Sequence, residues 1–249
     1  MTKRRPLSDG SPASDSPLPP PAGDILWLGA HKTGSTYLQH MLDQTRLPLA
    51  QADLFYIGLP TLRARYTRPL LDPSRKPAAG PDVLPPLARP EDNGGPDTAD
   101  SARRYLIFDE NILGLVQNAL APAGLYPDGA ERALQMHHTL RLHRPRLILG
   151  VRSFADYLPS LYCETLKSLP FQEFQSFNRS RLHTLSWSDL AERLLAAFPE
   201  AALYVYEADQ LRSHEAALLS WVTGLEPACF TLPPSGSDSH RSGFSQRAV

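Results

Sequence analysis

The stretch GAHKTGST (29–36) has the composition of an anion cradle. Gly29, four residues, Gly34, Ser35 and Thr36 meet the triphosphate-binding spacing G-x-x-x-x-G-K-[ST] at every fixed position but one. Ser35 stands where that signature has its lysine, and Lys32 comes three residues earlier. Backbone N–H groups of such a loop, backed by a helix N-terminus, bind an anion through hydrogen bonds and the helix dipole. Gly34 lets the chain approach the anion closely, and Thr33, Ser35 and Thr36 offer hydroxyl donors. A lysine placed after the second glycine reaches the β- and γ-phosphates of a triphosphate. Lys32 enters from the other side of the loop, so it faces a shorter anion and the bond being broken.

Two further stretches hold groups suited to such chemistry. VRSFADYLPS (151–160) contains Arg152 and, eight residues on, Ser160, with Asp156 between. Arginine presents a planar fork of donors that fits phosphate. YLIFDEN (105–111) ends in Asp109 and Glu110, either of which can take a proton from an attacking group. Two consecutive residues on a strand end do not both face one site. Glu110 has the longer arm, whereas Asp109 suits a helix N-cap. His31 is a rival base, or a loop residue packed beside the strand. His137, His138 and His143 lie in MHHTLRLHRPR without a companion set of ligands, which reads as a solvated basic helix rather than a zinc site.

Something must bring these stretches together. Three short apolar runs adjoin them, ILWLG (25–29), YLIF (105–108) and LILGV (147–151); LYVY (203–206) is a fourth run and LFYIG (54–58) a weaker fifth. Continuous apolarity suits strands buried on both faces of a parallel sheet. Helical patterns alternate with them. Tyr37, Leu38, Met41 and Leu42 share a face after the first run. Leu190, Leu194, Leu195 and Phe198 share one before the last, where Pro199 stops the helix. Ala216, Leu218, Leu219 and Val222 mark another, and a helix over 154–166 would turn Ser160 toward the strand end. Strands alternating with helices predict an α/β fold with a central parallel sheet. In such sheets ligands sit at the carboxyl ends of the strands, where all three stretches fall.

The chain of 249 residues has 42% hydrophobic and 20% charged residues, ordinary values for a globular protein. A net charge of −1 argues against a nucleic-acid partner. Two cysteines, Cys163 and Cys229, make no disulfide framework or zinc cluster. No run approaches the ~18 apolar residues of a membrane span, and Lys3, Arg4 and Arg5 are not followed by an apolar segment. The expectation is a soluble cytoplasmic protein. Residues 1–22 are rich in Pro, Ser and Asp and read as a disordered tail. A Pro-rich stretch at about 72–102 reads as an insertion or lid.

HKTGSTYLQ resembles the 5′-phosphosulfate loop of the sulfotransferases, whose donor is 3′-phosphoadenosine 5′-phosphosulfate (PAPS). That resemblance implies a P-loop kinase-like three-layer architecture, here a single domain over 23–249. It implies that Lys32, Thr33, Gly34, Ser35 and Thr36 hold the 5′-phosphate, and that Lys32 stabilises charge on the bridging oxygen as sulfuryl leaves. The Arg152/Ser160 spacing is similar to the family's 3′-phosphate motif, and HRSGFSQRAV (240–249) resembles its late loop, which would add Arg241, Ser242 and Gly243. YVYEADQL (204–211) looks like the family's late strand and turn, in which Glu207 and Asp209 would be structural. Relatives use a His or Glu base, which falls to Glu110, with Asp109 and His31 as alternatives. No metal is implied. The acceptor would be a hydroxyl or amine on a small molecule or carbohydrate, and the oligomeric state is not legible.

The chain departs from the family in the stretch 72–102, in the late loop, and in Ser153 and Phe154 after Arg152. Arg63, Arg65, Arg68, Arg75 and Lys76 either draw an anionic acceptor or solvate a loop. Two other classes fit parts of the pattern. An ATP-dependent P-loop kinase would need a lysine at position 35. A nucleotide-binding module that kept the loop and lost catalysis would retain Lys32 and Arg152 without depending on Glu110.

Overall fold

A computed structural model describes residues 23–72, 74, 103–178 and 185–231. The tail 1–22, nearly all of the Pro-rich stretch and Arg241, Ser242 and Gly243 lie outside the described residues. The strands are β1 (Ile25–Gly29), β2 (Leu54–Tyr56), β3 (Arg104–Phe108), β4 (Leu120–Ala121), β5 (Gly124–Leu125), β6 (Arg146–Val151) and β7 (Leu203–Glu207). The helices are α1 (Ser35–Gln44), α2 (Arg46–Gln51), α3 (Leu59–Leu62), α4 (Arg68–Leu71), α5 (Gly129–Leu140), α6 (Phe154–Thr165), α7 (Phe174–Asn178), α8 (Trp187–Ala197) and α9 (Glu215–Thr223). A π-helical turn, Arg63–Thr67, joins α3 to α4.

Five strands form one sheet in the order β2-β3-β1-β6-β7, and each neighbouring pair is parallel. The fold is therefore the α/β, helix–sheet–helix architecture that the apolar runs predict. Alternation along β1 explains why. Leu26 and Leu28 enter one core with Ile107, Leu147 and Leu149, against α5, α6 and α8. Ile25 and Trp27 enter the other with Leu106, Phe108 and Ile148, against α1 and α9. Side chains on a strand point alternately to the two faces, so a strand covered on both must be apolar throughout. Trp27 stacks on Phe108 with ring centroids 4.4 Å apart, tying β1 to β3 on the second face.

The chain runs from β1 to the β2 edge, returns to β3 beside β1, then crosses to build β6 and β7. The carboxyl end of β1 is the point where the winding reverses, the usual crevice for a ligand in an open parallel sheet. Gly29 pairs with Gly150 in register there. A Cβ on Gly150 would fall 2.6 Å from Tyr206 Oη and 3.0 Å from Thr33 Oγ1. The bare glycine is what lets the 30–34 loop settle on the strand ends.

Two local expectations need correction. Leu195 is 43% exposed, while Leu190, Leu194 and Phe198 are buried. Five residues past Leu190 is about 140° around a helix at ~100° per residue, too far to share the face. β2 stops at Tyr56 rather than continuing to Gly58, because α3 starts at Leu59 with Pro60 in its first turn. Elsewhere Ser186 caps α8, its hydroxyl accepting from the Asp189 N–H at 3.1 Å. Cys163 and Cys229 are both free thiols. Among the described residues no helix is long and apolar enough to cross a membrane.

Candidate functional site

The loop between β1 and α1 is built on two left-handed residues, Lys32 (φ 66°) and Gly34 (φ 82°). Gly34 adopts this conformation freely, whereas Lys32 does so at a cost that the loop's packing must cover. Thr33 is fully buried, and its hydroxyl donates to the Ala30 carbonyl at 2.6 Å. The hydroxyl thus braces the loop, while Thr33 itself lines the cleft. No side chain caps α1. The N–H groups of Ser35 and Thr36 belong to the first turn, which a helix cannot satisfy internally. Ser35 and Thr36 both line the cleft, and Thr36 is exposed.

Lys32 reaches across from this loop to α6, where its Nζ lies 3.1 Å from Glu164 Oε2. Lys167 donates to the same oxygen at 2.9 Å. Burial works to raise the Glu164 carboxyl, but the two lysines outweigh it and hold the group below its ordinary range. Arg152, just past β6, pairs through Nε with Asp209 Oδ1 at 3.0 Å, and its Nη1 approaches the Lys32 carbonyl at 3.5 Å. The Trp187 indole N–H donates to the Arg152 carbonyl at 2.8 Å and fixes the backbone there. α6 spans Phe154–Thr165, so Ser160 sits mid-helix, behind Pro159, on the wall of the same cleft.

The carboxylates at the end of β3 separate as their arm lengths suggest. Asp109 is fully buried and caps the following 3-10 turn, accepting from the Asn111 N–H at 3.1 Å. Its oxygens also take Arg63 Nη2 at 3.0 Å and Nε at 3.2 Å. Burial, reinforced by the Glu110 charge, raises its carboxyl, and Arg63 pulls it back. Glu110 instead lines the cleft. Its Oε1 accepts from Arg63 at 2.8 Å and its Oε2 from the Gln39 amide at 3.3 Å. Arg63 is thus no solvated loop cation: the π-helical turn carries it onto both acids.

His31 is buried beneath the loop. Its Nδ1 lies 2.8 Å from Tyr126 Oη, which lies 3.0 Å from Tyr157 Oη. The Asn111 amide satisfies both neighbours when its NH2 donates to His31 Nε2 at 3.1 Å and its oxygen accepts from Arg63 at 3.2 Å. His31 is then the neutral Nδ1–H tautomer. Burial lowers its pKa, against a partial pull upward from Glu110.

One open cleft of about 1040 Å³ is lined by Lys32 to Thr36, Glu110, Arg152 and Ser160, together with His31, Arg63 and Glu164. The residues drawn from three separate stretches of sequence therefore share one space. Asp109 does not line it. Arg241, Ser242 and Gly243 lie outside the described residues. Among the described residues no group of three or more His, Cys, Asp or Glu is disposed to hold a metal ion. His137 packs edge-on to Phe198 at 5.6 Å, so it is partly structural rather than wholly solvated, while His138 and His143 are exposed. Sequence reasoning missed Glu164, Gln39 and Asn111. Glu164 had one available signal, its place four residues after Ser160 on a helix facing the cleft. Comparisons with family models, with curated proteins and with solved structures returned no match.

Proposed function

We propose that the chain is a PAPS-dependent sulfotransferase, moving a sulfuryl group to a hydroxyl or amine of a small-molecule or carbohydrate acceptor. One observation carries the proposal. Two cations from different walls, Lys32 and Arg152, line a single cleft over the carboxyl ends of β1 and β6, with the uncapped N-terminus of α1 beside them. That disposition supports a ligand carrying more than one anionic group. The loop and helix N-terminus would receive the 5′-phosphosulfate, and Arg152 with Ser160 the 3′-phosphate.

In this account the acceptor oxygen or nitrogen attacks sulfur, the bond from sulfur to the bridging oxygen breaks, and adenosine 3′,5′-bisphosphate leaves. Lys32 stabilises the negative charge gathering on the bridging oxygen, the kind of fixed electrostatic help that usually dominates catalysis. Glu110, held in place by Arg63 and Gln39, takes the acceptor's proton. A kinase reading is weaker because Ser35 occupies the position of the phosphate-reaching lysine. The test is transfer of radiolabelled sulfate from PAPS to a panel of hydroxyl and amine acceptors. Label must appear in an acceptor, and must be lost with Lys32→Ala. Transfer of the γ-phosphate of ATP instead would overturn the assignment.

A further inference from the structure

We infer that Glu164 is the resident counter-anion of the donor site, holding Lys32 while the cleft is empty and passing to Lys167 alone when a donor anion takes Lys32. This rests on the sulfotransferase proposal above. Glu164 Oε2 is shared: Lys32 Nζ stands at 3.1 Å and Lys167 Nζ at 2.9 Å. The two lysines come from different places. Lys32 belongs to the loop wall, 132 residues away in sequence. Lys167 lies just past α6, three residues from Glu164. The Lys167 bond is local and survives any movement of Lys32. The Lys32 bond bridges the two walls and must break before Lys32 can meet a phosphosulfate.

Both Glu164 and Lys32 are 29% exposed, so water reaches the pair and the exchange is not blocked by desolvation. The pair also keeps a left-handed loop lysine directed into the cleft rather than out to solvent. Its cost falls on ligand binding. An anion seated at Lys32 sits near a carboxylate of the same sign, which weakens its binding, and Lys167 offsets part of that charge.

The expectation is opposite in sign to that for a structural residue. Glu164→Gln should tighten binding of adenosine 3′,5′-bisphosphate by roughly 5- to 50-fold, the scale of one like charge removed a few Å away at a half-exposed site. Lys167→Met should weaken binding more in the wild-type background than beside Glu164→Gln, where only the direct pull of Lys167 at the cleft wall is lost. In a Lys32→Ala background, Glu164→Gln should give much less than its full gain. Calorimetry on wild type and the five variants decides the matter, and a gain in affinity cannot come from misfolding. Unchanged or weaker binding by Glu164→Gln overturns the inference, and so does a Lys167→Met loss as large beside Glu164→Gln as in wild type. Either result leaves the sulfotransferase proposal standing if wild type binds bisphosphate. A wild type that binds only magnesium-ATP removes both.

Discussion

Arg63 Nη2 stands 2.8 Å from Glu110 Oε1 and 3.0 Å from Asp109 Oδ1, so one guanidinium holds both carboxylates at the end of β3. The two acids nevertheless have different surroundings. Asp109 is buried and spent on a helix cap, whereas Glu110 lines the cleft. Glu110→Gln keeps the size and removes the basicity. Turnover should fall by ~10²-fold or more, while bisphosphate affinity stays within about threefold, since a change away from the ligand costs a few tenths of a kcal/mol. Parallel steady-state kinetics and calorimetry check the split. Full activity in Glu110→Gln would move the base to another residue.

Arg63 should matter to stability as well as to the site. Its removal leaves Asp109, with 0% of its side chain exposed, as a buried charge without a counter-ion, held only by the Asn111 N–H. Breaking such a pair typically costs about 3–5 kcal/mol. Urea unfolding of Arg63→Met should show a loss of that order, and Asp109→Asn in the same chain should recover part of it. A loss below about 1 kcal/mol, the scale of an exposed pair, would mean that water compensates Asp109.

His31 should make stability depend on pH. Burial holds its folded pKa below the ordinary value of about 6.5, so the unfolded chain binds the proton more readily. The stabilisation is complete above pH ~6.5 and is lost as pH falls from there toward the folded pKa. Thermal melts between pH 7.5 and 5.5 (about one unit either side of 6.5) should fall more steeply for wild type than for His31→Gln. Equal slopes would show that His31 titrates normally.

The inner strands β1, β3 and β6 were legible because burial on both faces forces continuous apolar runs; the edge strand β7 is apolar in sequence although Val205 is 54% exposed, and β2 takes up only the first three residues of its run. The loop was legible because its glycine spacing is local. What the sequence hid is pairing across distance. Arg63 lies 46 residues from Asp109, and Lys32 lies 132 from Glu164, so no spacing marks them. No helix was read between Leu59 and Leu71, where Pro60 and Pro69 sit in the first turns of the short helices α3 and α4. That the Thr33 hydroxyl serves its own backbone was not legible, because a hydroxyl in a small-residue loop can serve either a ligand or the loop itself.

Arg152 should discriminate between the two ends of the donor. A hydrogen bond to a charged group is worth ~1.5–3 kcal/mol, so Arg152→Ala should weaken bisphosphate binding by about 10- to 100-fold at ~1.4 kcal/mol per tenfold. AMP, which lacks the 3′-phosphate, should be affected much less. The Asp209 partner released at 3.0 Å is exposed enough to be hydrated, so the fold should hold. Equal weakening of both ligands would make Arg152 a brace for the Lys32 loop rather than a phosphate ligand.

The central claim is that this loop, with its lysine at position 32, serves a bisphosphorylated donor rather than a triphosphate. Calorimetric titration of the full chain with adenosine 3′,5′-bisphosphate in EDTA tests it most directly, set against AMP under the same conditions and ATP with magnesium. Binding of the bisphosphate should be metal-independent and tighter than AMP by at least about tenfold, the contribution of one charged hydrogen bond. ATP should bind more weakly than the bisphosphate whether or not magnesium is added. Magnesium-dependent ATP binding, with the bisphosphate no better than AMP, would contradict it.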